Sequence, residues 1–105
     1  MALQINTQLT AKGGLTIPTG SIVKFVTIFP ENGTEMHCNL KVYKDASTVA
    51  TREDIYPKEL SGKMGIVKQL SEGDYTSLTP VMVHTWLKAE LEAIAEIGVG
   101  NVVII

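Results

Sequence analysis

Residues 35–43 read EMHCNLKVY, and every second position from Met36 to Val42 is apolar. Successive side chains of an extended backbone point to opposite sides. Met36, Cys38, Leu40 and Val42 therefore share one face, and Glu35, His37, Asn39, Lys41 and Tyr43 share the other. This alternation predicts a half-buried strand. It also answers a chemical question, because the stretch gathers a carboxylate, an imidazole and the only thiol of the chain. A nucleophile–base pair needs hydrogen-bond contact, and a shared metal needs its ligands aimed at one ion. As sequence neighbours in a strand, His37 and Cys38 meet neither condition. Cys38 is read as a small core hydrophobe and His37 as a partly exposed strand residue. No catalytic residue, metal ligand or cofactor is assigned.

Upstream, SIVKFVTIFP (residues 21–30) carries the strongest strand signal. Ile22, Val26 and Ile28 point one way with Lys24; Val23, Phe25 and Phe29 point the other with Thr27. Apolar side chains on both faces predict a strand covered on both sides, where one cover could be another subunit. PENG (30–33) supplies turn residues and joins the two strands as a hairpin. Before it, residues 1–13 form a strand or N-terminal arm, with Leu3, Ile5 and Leu9 alternating with polar residues, and LTIPTGS runs into a turn at Pro18 and Gly20. Residues 45–63 show no clear period and read as a long loop, with TVAT and IY as possible short strands. Such loops are often binding elements, so Arg52, Asp54, Tyr56 and Pro57 are candidate partner contacts, set against an ordinary surface loop. MGIVKQL resumes the strand signal, and SEGDYTSL closes it.

Thr79-Pro80 opens a helix, a capping hydroxyl followed by proline in the first turn, expected to run from Pro80 to Ile97 and stop at Gly98. At about 100° per residue, its apolar residues cover an arc of roughly 200°, about twice what one sheet requires. Two arrangements fit. Either the strands curl around the helix, or Val83, Leu87, Leu91 and Ile94 face the sheet while Met82, Trp86, Ala89 and Ala93 face a neighbouring subunit. In the second case Glu90 sits at the seam and is met by a cation or backbone amide of the neighbour. His84 falls at the rim and is expected to face solvent. NVVII then adds a short terminal strand. The fold class is α+β: a mainly antiparallel sheet of about five strands, one C-terminal helix packed on it and a terminal strand, in a single domain, 1–105.

At 105 residues and 45% apolar content, the chain suits one modest core. Nine Lys and Arg against eleven Asp and Glu leave a net charge of −2, too little to favour nucleic acid or an anionic membrane. No membrane span or signal peptide is read, and a single Cys suits a reducing cytoplasm. No nucleophile elbow, phosphate loop, C-x-x-C, H-E-x-x-H or dinucleotide fingerprint occurs. GKMG lacks the length of a phosphate loop, and IGVGN follows a helix where a phosphate loop would precede one. Asp54, Glu59 and Asp74 are scattered. The chain is not expected to be an enzyme.

GLTIPTGSIVKFVTIFPENG, with the terminal helix and strand, resembles small structural virion proteins of tailed bacteriophages: capsid-accessory, head–tail connector and tail subunits. The resemblance covers about half the chain. It implies a non-enzymatic, oligomeric subunit that contacts itself and other virion proteins in a virion assembled in host cytoplasm. The alternative is a soluble bacterial or prophage binding or regulatory domain that recognises a ligand or host protein through residues 45–63.

Overall fold

In chain order the elements are β1 (Leu3–Ile5), β2 (Leu9–Thr10), β3 (Thr16–Ile17), β4 (Ser21–Ile28), β5 (Glu35–Tyr43), α1 (Ala46–Ala50), β6 (Asp54–Ile55), a 3₁₀ turn (Lys58–Leu60), β7 (Gly65–Gln69), α2 (Glu72–Ser77), α3 (Pro80–Glu92) and β8 (Val102–Ile104). This computed structural model describes residues 1–30 and 34–105. The Glu31–Gly33 part of the expected PENG turn lies outside them, as does the side chain of Asp74. The fold is α+β, an antiparallel sheet with one main helix near the C-terminus.

The EMHCNLKVY strand is the sheet's pivot. The strands run β6–β5–β4–β1–β8, and β7 pairs with the other half of β5, beside β6. All of these pairings are antiparallel. The β4–β5 hairpin sets Val23 opposite Val42, Phe25 opposite Leu40 and Thr27 opposite Cys38. These residues share the inner face, and Met36, Cys38 and Val42 are fully buried there. Leu87 and Leu91 of α3 pack into the same core. Burial raises the pKa of the Cys38 thiol, because the thiolate would lose its hydration.

On the outer face β4 is covered only at one end. Ile22 packs with Ala2, Tyr43 and Val49 of α1, whereas Val26 and Ile28 remain exposed. Cover on both faces therefore does not extend along the whole strand within the chain.

Two local expectations are corrected, and one alternative is resolved. Residues 1–13, read as a strand or an arm, carry strands β1 and β2: Leu3, Ile5 and Leu9 are fully buried, and β1 lies between β4 and β8. Residues 45–63 are organised, and TVAT belongs to α1 rather than to a strand. The Asp45 carboxylate accepts from the Thr48 N–H, and the Asp45 N–H donates to the Thr48 hydroxyl, a reciprocal cap that nucleates a helical turn. SEGDYTSL closes the strand as expected, β7 ending at Gln69, and its residues 72–77 form α2. Finally, α3 ends at Glu92, not Ile97. Beyond it the Ile94 N–H donates to Leu91 O and the Ile97 N–H to Ile94 O, the tighter winding typical of helix ends. The chain then turns at Gly98, whose φ of 84° suits glycine, and returns to pair β8 with β1. The Ile97 carbonyl accepts from the Thr7 hydroxyl and the Asn101 amide.

Candidate interaction surface

Thr79 caps α3, its hydroxyl accepting from the Met82 N–H, with Pro80 at the first helical position. Val83, His84, Leu87 and Leu91 form the buried side. His84 departs from the expectation that it faces solvent, since its side is covered by β4. Its ring meets Phe25 edge to face, with centroids 4.7 Å apart. The Pro80 carbonyl, 2.7 Å from Nδ1, accepts a hydrogen bond and so requires a protonated Nδ1.

The other side of α3 is open. Val81 and Met82 are 55% and 44% exposed; Ala89, Glu90 and Ala93 are exposed, and Trp86 is partly so. These residues flank β7. Lys68 Nζ lies 5.2 Å from the Trp86 ring centroid, a cation–π contact. Met82, Trp86 and Ala89 border a groove of about 510 Å³ with Met36, Lys68 and Leu70. Glu90 and Ala93 border a second groove, of about 430 Å³, against Gly62, Lys63, Gly65, Ile66 and Val67. The five residues singled out in the sequence thus lie along α3 and its C-cap, divided between two grooves beside β7.

Residues 45–63 behave differently. Arg52, Asp54 and Tyr56 are exposed, whereas Pro57 is buried and borders the same groove as Tyr56. Pro57 bridges to Ala11, and the Glu59 carboxylate accepts from the Thr10 N–H at 2.6 Å, so the segment is pinned to the β2–β3 ribbon. Tyr56 borders a groove with Lys12 and Lys58, whereas Arg52 borders another with Lys24 and Lys41. The four candidates do not gather at one place: Tyr56 and Pro57 share a groove that Arg52 does not border.

On the outer face of β5, His37 Nε2 lies 2.8 Å from Glu35 Oε2, a pair the shared strand face foreshadows. Hydrogen bonds from His37 and then Gln69 hold the Glu35 carboxyl below the usual range. Among the described residues, no group of three or more His, Cys, Asp or Glu is placed to hold a metal, and no helix is long and apolar enough to cross a membrane. No family model, curated protein or solved structure matches the chain.

Proposed function

We propose that this chain is a non-enzymatic structural subunit that works through contacts with copies of itself and with other proteins of a bacteriophage particle. The observation that supports this reading is the uncovered apolar flank of α3, where Val81, Met82 and Trp86 stand beside the small residues Ala89 and Ala93. Isolated domains seldom keep such patches in water. Aromatic residues and Met are enriched at subunit contacts. Burying the patch would favour association by roughly 25 cal/mol per Å² of apolar area, before the entropic cost of association is subtracted.

The test is mass in solution as a function of concentration, by sedimentation and light scattering, together with detection of the chain in purified particles. A defined oligomer that Trp86→Lys dissociates without unfolding the monomer is the expected result. A wild type that is monomeric at every concentration and absent from particles would overturn the reading. The alternative, a binding domain working through residues 45–63, has exposed Tyr56 in its favour, but its candidate residues are divided between separate grooves.

A further inference from the structure

Beside the open flank of α3 lies an open sheet edge. Leu40 N–H donates to Met64 O, and Leu70 N–H to Thr34 O, so the even-numbered residues of β7 direct their backbone groups toward β5. By the alternation of antiparallel pairing, Gly65, Val67 and Gln69 direct theirs outward, where among the described residues no strand pairs with them. Val67 is also half exposed. An open edge next to an apolar helix is a template for another chain.

We infer that the occupant is a second copy of this chain, with β7 pairing antiparallel to its own counterpart about a two-fold axis at Val67, so that the two sheets join and the two α3 flanks meet on one side of them. This rests on the assembly reading above and specifies its geometry. The register centred on Val67 uses every outward backbone group of β7: Val67 faces Val67, and Gly65 faces Gln69. It sets Ile66 directly opposite Lys68 of the second copy. Glu90 borders the groove at Ile66, so the incoming Lys68 arrives beside it with opposite charge. Glu90 is exposed, and the pairing brings a second cation to the groove that Glu90 shares with Lys63 of its own chain. The helices run back along β7, since Trp86 sits at Lys68 and Ala93 near Gly65. In the two-fold arrangement Trp86 of each copy therefore approaches the small Ala93 end of the other. Large meets small, and positive meets negative, under a single operation of the commonest symmetry.

The test is Val67→Cys. Facing Val67 positions in this register have Cα atoms about 5.5 Å apart, within disulfide range. Mild oxidation is expected to link two copies through Val67→Cys and not through Val26→Cys, which is exposed on β4 away from the edge. Val67→Pro removes an outward N–H, a change edge strands tolerate, and is expected to weaken the dimer about a hundredfold with an unchanged circular dichroism spectrum. Glu90→Lys is expected to weaken it about tenfold, with recovery in the double variant Glu90→Lys, Lys68→Glu. An oligomer that persists in Val67→Pro, with no Val67→Cys cross-link, overturns the β7 seam while the assembly reading stands. A cross-link from Val67→Cys to a different virion protein alone does the same. A wild type that never associates overturns both.

Discussion

Val83, Leu87 and Leu91 share one thirteen-residue helix with Met82, Trp86 and Ala89, yet the first group is buried, Trp86 is only partly so, and Met82 and Ala89 are exposed. The two sides differ little in apolar character. They differ in what the sheet places against them. Leu87 and Leu91 pack in one core with residues of β1, β4, β5 and β8, whereas Met82 and Ala89 border an open groove with Lys68 and Leu70. An apolar arc on a helix therefore measures how much surface a chain can bury, and the position of the neighbouring strands selects the part that is buried.

Deleting side chains on the two sides is the most forceful way to break this contrast. Leu87 is fully buried, so Leu87→Ala is expected to lower stability by about 3 kcal/mol in urea unfolding, because the cavity adds to the lost transfer energy. Met82→Ala is expected to change monomer stability by less than about 1 kcal/mol, provided the measurement is made below any association threshold. Equal losses would show that Met82 is core.

The His84 position sharpens the same contrast at its boundary. His84→Ala removes both the Phe25 ring contact and the hydrogen bond to Pro80, and is expected to cost about 2 kcal/mol. A cost near zero would return His84 to the solvent side. On the inner face of the sheet, Cys38→Ala is expected to cost about 1 kcal/mol. In the wild type, thiol-reagent labelling of Cys38 is expected to follow unfolding and not to occur in the native state. Rapid native labelling would contradict its burial.

The smallest effect concerns the polar ridge of α3. The Glu92 carboxylate accepts from the Gly100 N–H at 2.6 Å and from Lys88 Nζ at 3.2 Å. These bonds, Gly100 first, hold its pKa below the ordinary glutamate range. The folded protein consequently binds fewer protons at this site than the unfolded chain. Its contribution is complete above the ordinary glutamate pKa and is lost as pH falls through the lowered folded value. Glu92→Gln should therefore narrow the stability difference between neutral pH and about pH 3. An unchanged difference would remove Glu92 from the pH response.

Much of this was legible from local pattern. The period of two in EMHCNLKVY identified the buried face that Met36, Cys38, Leu40 and Val42 occupy, and Thr79-Pro80 marked the start of α3. Residues 45–63 were not legible as structure because α1, β6 and the 3₁₀ turn are each too short to establish a period. Asp45 followed three residues later by Thr48 was a capping signal, and it outweighed the strand preference of Thr48 and Val49. Glu59 gave no local sign that its partner was the Thr10 amide, since the two residues lie 49 positions apart in the chain.

By itself the sequence determined the α+β class, the central hairpin, the beginning of the helix and the burial of Cys38, because each follows from periodicity or capping within a few residues. Only the tertiary structure decided that α3 ends at Glu92, that His84 and Pro57 are buried, and that Met82, Trp86, Ala89, Glu90 and Ala93 gather beside β7. Those outcomes depend on which strand lies next to which helix face. That arrangement is made by contacts between residues far apart in the chain, to which local periodicity is blind.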